Sequence, residues 1–85
     1  MRAEGLTFRR EVTRGADRID FVVDRVGIEC KVDGSVADVT RQLERYALWG
    51  ELDELVVVTT KGKHLNLPRM LNGKPVRVHI VRGMF

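Results

Sequence analysis

The 85 residues allow one domain with one small core, and 44% hydrophobic against 32% charged residues is the balance of a folded chain rather than a disordered tail. Apolar runs such as Leu55 to Val58 are far too short to cross a bilayer, and Met1-Arg2-Ala3-Glu4 lacks the apolar stretch of a secretory signal. An intracellular, cytoplasmic protein of prokaryotic or phage context with no membrane partner is expected. Cys30 is the single cysteine, which excludes an intramolecular disulfide, and no Cys or His around it has metal-finger spacing.

Fifteen Lys and Arg against twelve Asp and Glu give a formal charge of +3 and a pI near 9.5. Arg9, Arg10, Arg14 and Arg18 cluster near the start, and Lys61, Lys63, Arg69, Lys74, Arg77 and Arg82 load the last quarter. Such clusters suit a phosphate backbone, and they equally suit solvated strand and loop faces.

In chain order, Leu6 to Thr13 reads as a strand ending in the turn Arg14-Gly15-Ala16-Asp17. From Arg18, Ile19, Phe21 and Val23 alternate with Asp20, Val22 and Asp24, the period of a half-buried strand. Val26, Ile28, Cys30 and Val32 then alternate with Gly27, Glu29, Lys31 and Asp33, and Asp24-Arg25 fits a tight hairpin connection although it lacks the usual glycine. Asp33-Gly34-Ser35 ends this strand, with Ser35 or Asp33 as helix cap. The amphipathic pattern Val36, Val39, Leu43, Tyr46 or Ala47 predicts a helix to about Trp49, stopped by Gly50 and carrying Asp38, Arg41, Glu44 and Arg45 on its wet side. Glu54 to Thr60 is a β-branched run suited to a central parallel strand buried on both faces. Lys61 to Asn72 predicts a short helical or irregular segment interrupted by Pro68, and Val76, Val78 and Ile80 mark a last strand. This order implies an α/β sandwich with a mixed sheet.

A two-residue turn at Asp24-Arg25 sets Val23 opposite Val26, Phe21 opposite Ile28, and Ile19 opposite Cys30, forming an apolar face. The same register sets Asp20 opposite Glu29, with Lys31 diagonal to Asp20 on the other face. Two carboxylates with Cβ atoms about 4.5 to 5.5 Å apart repel when ionised, unless a cation sits between them. Mg²⁺, for which Mn²⁺ can substitute, takes one or two carboxylates plus water and phosphate oxygens, so Asp20, Glu29 and the Cys30 carbonyl form a candidate metal site. Lys31 adds a compact cation for the nucleophile or the transition state. The competing reading is an ordinary set of cross-strand ion pairs.

Arg18-Ile19-Asp20-Phe21-Val22-Val23 followed by Gly27-Ile28-Glu29-Cys30-Lys31-Val32 resembles the PD-(D/E)XK nuclease signature, with Ile19 at its variable proline position. Arg41-Gln42-Leu43-Glu44-Arg45-Tyr46 is similar to the Gln and Tyr motif that archaeal-type Holliday junction resolvases and VRR-NUC nucleases place beside the metal. The resemblance covers residues 6 to 60. It implies a restriction-endonuclease-like mixed sheet with one main helix, and catalytic residues Asp20, Glu29, Lys31 and Gln42. Gln42 would hold the attacking water or a phosphate and Tyr46 would support it. The superfamily's N-terminal core helix is expected to be missing here, which leaves Glu4 or Glu11 as a substitute for its ligand and implies either a homodimer that covers the exposed face or a truncated chain. Candidate nucleic-acid contacts are Arg9, Arg10, Arg14, Arg18, Ser35, Arg41, Arg45, Tyr46, Lys61 and Lys63.

Ser35 has no His and Asp partners for a serine-hydrolase site and is expected to cap the helix or touch phosphate. His64 and His79 have no metal-ligand spacing, and His79 lies on the polar face of the last strand. Tyr46 and Trp49 suit core or dimer contacts better than base stacking, and Cys30 is expected to be buried and inert. The sequence therefore predicts a Mg²⁺-dependent endonuclease acting on branched, flapped or duplex DNA. A non-catalytic nucleic-acid-binding or assembly module is the alternative, and RNA is a further possible substrate.

Overall fold

The computed structural model describes residues 7–30 and 33–82. Six strands and one helix follow in the order β1 (Phe8–Arg14), β2 (Asp17–Val23), β3 (Val26–Cys30), α1 (Val36–Tyr46), β4 (Glu54–Thr59), β5 (Met70–Leu71) and β6 (Lys74–Ile80), with a 3₁₀ helix at Gly62–Asn66. They form one mixed sheet in the order β1-β2-β3-β4-β6-β5. The first three strands meander antiparallel, β4 lies parallel between β3 and β6, and β5 runs antiparallel to β6. The expected α/β class and the central parallel strand are both present. Leu6 and Glu4, and with them any element ahead of β1, lie outside the described residues.

Cα partners Val22, Gly27, Leu55 and Val76 share one face of the sheet and are buried there. Against this face packs α1, through Val39, Leu43 and Tyr46 at helical spacing. Gly27 leaves little room for a side chain: a Cβ would stand 3.0 Å from Leu52 Cδ1 and 3.3 Å from Leu55 Cδ2, and both leucine side chains would have to give way. Ser35 caps the helix by accepting the Asp38 N–H at 3.1 Å.

The helix ends at Tyr46 rather than near Trp49, because Leu48 N–H and Trp49 N–H reach back only three residues, to Arg45 O and Tyr46 O. Trp49 thereby turns into the core, edge-on to Tyr46 with ring centres 5.9 Å apart, and carries the Arg14 guanidinium over its ring. Two carbonyls near the helix end are satisfied from the β5–β6 hairpin, where Lys74 Nζ donates to Trp49 O at 2.6 Å and Asn72 Nδ2 to Ala47 O at 3.2 Å. Asn72 and Gly73, at φ 49° and 76°, make the tight turn that brings those two donors there.

The opposite face carries Phe21, Val23, Val26, Ile28, Val56 and Val58, all half-buried, with Phe8 stacked on Phe21 at 5.8 Å. Among the described residues no helix covers it. That corrects the expectation for β4: Leu55, Val57 and Thr59 are buried, whereas Val56 and Val58 are only half-buried because no second layer covers them among the described residues. No helix is long and apolar enough to cross a membrane among the described residues.

Candidate active site

The hairpin between β2 and β3 has the expected register, with Val23 paired to Val26 and Phe21 to Ile28. Asp24 closes the turn without glycine by taking a left-handed φ of 56° itself. Beyond Phe21 the ladder changes character. Asp20 Oδ2 accepts the Cys30 N–H at 2.8 Å, and Glu29 Oε1 accepts the Asp20 N–H at 3.3 Å. Each carboxylate thus occupies a backbone donor on the facing strand, where main-chain carbonyls would otherwise pair.

β1 breaks at the same level. Arg10 pairs with Phe21 and Val12 with Ile19, while Glu11 between them takes a left-handed φ of 51°. The alternation of β2 therefore slips: Ile19 and Val22, three residues apart, are both fully buried, and Ile19 Cδ1 reaches the helix-side space above Gly27. This corrects the sequence reading, which placed Ile19 with Phe21 and Val23 opposite Cys30. A pure period of two cannot register the carboxylate interruption at Asp20. Glu11, considered as a substitute ligand, is exposed on β1.

Glu29 is the Cα partner of Val57 on the helix side of the sheet and is half-buried. Burial, followed by the charge of Asp20, pushes its carboxyl up to about 7, against the smaller opposing effects of the Asp20 N–H and Arg18. α1 anchors β2 beside this pair. Tyr46 donates its hydroxyl to Arg18 O at 2.8 Å and accepts Gln42 Nε2 at 2.8 Å, while Arg45 Nε binds Asp17 Oδ1 at 2.8 Å. Burial, reinforced by Glu29, raises the Tyr46 phenol to about 12, so it stays a neutral donor at working pH. Hence Gln42 and Tyr46 sit at the flank of the carboxylates, linked to each other and to the main chain two residues before Asp20.

Asp20 and Glu29 are a suitable pair for one Mg²⁺, which needs few protein oxygens and completes its shell with water and phosphate. Among the described residues no group of three or more His, Cys, Asp or Glu side chains converges. Cys30 is half-buried rather than buried, because it belongs to the uncovered face with its partner Val58, and burial and the two carboxylates raise its thiol. Lys31, the expected catalytic cation, lies outside the described residues.

Compared with known proteins, the chain matches no family model, no curated protein and no solved structure. Its site must be read from its own geometry.

The expected nucleic-acid contacts divide on structural grounds. Tyr46 is only 2% exposed and so is removed from that set; it packs in the core because its ring continues the Val39 and Leu43 stripe. Arg9 and Arg14 converge on Glu51, Arg41 pairs with Asp38, Arg45 with Asp17, and Lys61 with Asp33. Exposed pairs of this kind are weak enough to exchange for phosphate. Arg10, Arg18 and Lys63 are exposed and have no ion-pair partner among the described residues, and Ser35 is engaged as the helix cap. His64, set aside in the sequence, is fully buried and bonded through both ring nitrogens. Its neighbours Lys61, Lys63 and Asn66 are polar and masked that burial.

The raised Glu29 carboxyl fixes a sign for the dependence of stability on pH. Folded Glu29 holds its proton up to about 7, whereas its ordinary value is 4.5, so its contribution is most favourable below 4.5 and is lost as pH rises toward 7. Wild type should therefore lose stability relative to Glu29→Gln across that window in metal-free buffer. Saturating Mg²⁺ should reduce the difference by favouring the ionised form. Denaturant titrations from pH 4 to 8 check this, and parallel curves for the two proteins would contradict it.

Proposed function

We propose that this protein is a metal-dependent endonuclease that hydrolyses phosphodiester bonds, with DNA as its substrate and branched or flapped DNA preferred. One observation carries the reading: two carboxylates from adjacent strands each take a backbone donor of the facing strand, Asp20 the Cys30 N–H and Glu29 the Asp20 N–H, and burial with the charge of Asp20 raises the Glu29 carboxyl to about 7. A purely structural sheet gains nothing from replacing ladder bonds with two repelling groups, whereas a phosphate-cleaving site uses such a pair to hold a cation. Bound there by Asp20 and Glu29, Mg²⁺ would neutralise phosphate charge and lower the pKa of a water.

The chain's own groups have separate tasks in this reading. Asp20 and Glu29 would hold the cation, their carboxylates oriented by the hydrogen bonds they accept from the Cys30 and Asp20 N–H groups. Gln42, fixed by Tyr46, presents its amide toward water or phosphate, and Lys31 offsets negative charge that grows in the transition state. Arg10, Arg18 and Lys63 give the phosphate backbone charge that needs no prior release from an internal partner.

The non-catalytic binding module is favoured by one observation, the lack of a third acidic ligand among the described residues. The two readings separate at Lys31. Under single-turnover conditions in Mg²⁺, Lys31→Ala should abolish cleavage of a labelled junction or flap, while binding measured in Ca²⁺ stays within about twofold, since groups acting in the transition state govern rate rather than ground-state affinity. Undiminished cleavage by Lys31→Ala would defeat the assignment. Activity absent from wild type on junction, flap, duplex, single-stranded DNA and RNA would favour the binding module.

Self-association belongs to the same proposal. The uncovered sheet face presents Phe8 at 43% exposure with half-buried Phe21, Val23, Ile28 and Val56, apolar surface that a second copy would remove from water. Light scattering at high micromolar concentration should give a dimeric mass that Phe21→Lys reduces to the monomer. A monomeric wild type would contradict it.

A further inference from the structure

The β4 terminus, the 3₁₀ helix and the turn before α1 meet at a polar cluster that the proposed chemistry does not use. Thr59 and His64 are both fully buried, in an otherwise apolar core. His64 Nε2 stands 3.1 Å from Gly34 O, and its Nδ1 stands 2.8 Å from Thr59 Oγ1. A carbonyl only accepts, so Nε2 carries the proton and donates to Gly34. Thr59 Oγ1 already accepts the Lys61 N–H at 3.1 Å, which leaves its own proton for His64 Nδ1. Every donor and acceptor in the cluster is thereby matched by the neutral imidazole.

The bond spans thirty residues of sequence and crosses between two loops. Gly34, at φ 107°, lies in the turn that joins the Glu29 strand to the Ser35 cap of α1. On the other side, His64 lies in the segment that carries Lys61 and Lys63. A second tie, Lys61 Nζ to Asp33 Oδ1 at 3.5 Å, joins the same loops at the surface, where water weakens it. The buried imidazole is therefore the stronger restraint.

We infer that His64 is a positioning residue, which sets the Gly34 turn and the Lys61–Lys63 loop against each other so that both face one phosphate backbone. This rests on the nuclease reading for its substrate, but the clasp itself is testable without cleavage. Three variants separate its two bonds. His64→Gln places an amide N–H near the Nε2 position and keeps the donor to Gly34. His64→Asn places its amide near Nδ1 and keeps only the Thr59 contact. His64→Leu keeps neither.

Amide exchange at Asp38 and Val39, whose N–H groups bond to the Ser35 side chain and carbonyl, reads the Gly34 turn in metal-free protein. Exchange there should quicken about fivefold in the Asn and Leu variants, the equivalent of one ordinary hydrogen bond, and return toward wild type in the Gln variant. Affinity for labelled junction DNA in Ca²⁺ should follow the same order, although all three variants melt below wild type. A merely structural histidine would instead make Asn and Gln alike once compared at equal distance from their melting points, and that result would overturn the inference. If the Leu variant fails to fold, the Asn and Gln pair still decides. Wild type that neither binds nor cuts DNA, with the Asn and Gln difference in exchange preserved, would remove the nuclease reading and leave the clasp; equal exchange in the two, with cleavage intact, would do the reverse.

Discussion

The site depends on a conflict inside one hairpin. Two carboxylates on neighbouring strands repel, and here they are also asked to stand partly out of water. The fold contains the conflict by giving each an amide donor from the facing strand, and by keeping a proton available to Glu29 below about pH 7. Ordinary ladder bonds are displaced at that level, Glu11 is driven to a left-handed φ, and β2 changes the face it buries. The irregularity is local because Phe21 and Val23 on one side and Val12 and Ile19 on the other pair regularly.

The helix makes that arrangement stable. Its apolar stripe brings Val39, Leu43 and Tyr46 onto the sheet, each fully buried aliphatic or aromatic chain contributing about 1.5–3 kcal/mol. The same packing carries Tyr46 to Arg18 O and Arg45 to Asp17, so the start of β2 is held at two points next to Asp20. Core and site thus share residues, and Gln42 owes its position to a buried tyrosine. Much of the positive charge is balanced locally by Glu51, Asp38, Asp17 and Asp33, in exposed pairs that contribute little to stability.

The sheet, the hairpin register and the central parallel strand were legible because period-two alternation and the β-branched run of β4 report burial directly. The Ile19 placement was not, since hydrophobicity carries no mark of a side chain that bonds to the backbone and breaks the alternation. Asn72-Gly73 is a strong turn signal that was obscured by Pro68 and by the shortness of β5. Tyr46 stood among the candidate nucleic-acid contacts, while its spacing from Val39 and Leu43 already placed it on the apolar stripe as a core or dimer residue, and it is buried there. The neighbourhood of Asp20 and Glu29 followed from register alone. The paired states of the arginines depend on contacts such as Arg14 with Glu51, thirty-seven residues apart, that no local pattern encodes.

Everything proposed for function passes through a cation held by Asp20 and Glu29. Isothermal calorimetry of Mg²⁺ or Mn²⁺ into wild type, Asp20→Asn, Glu29→Gln and the double variant at pH 7 tests it directly. Binding by wild type at one site, with a fraction of a proton released from Glu29 and with affinity lost in the double variant, is the expected result. Equal binding by wild type and the double variant, or none by either, would contradict it.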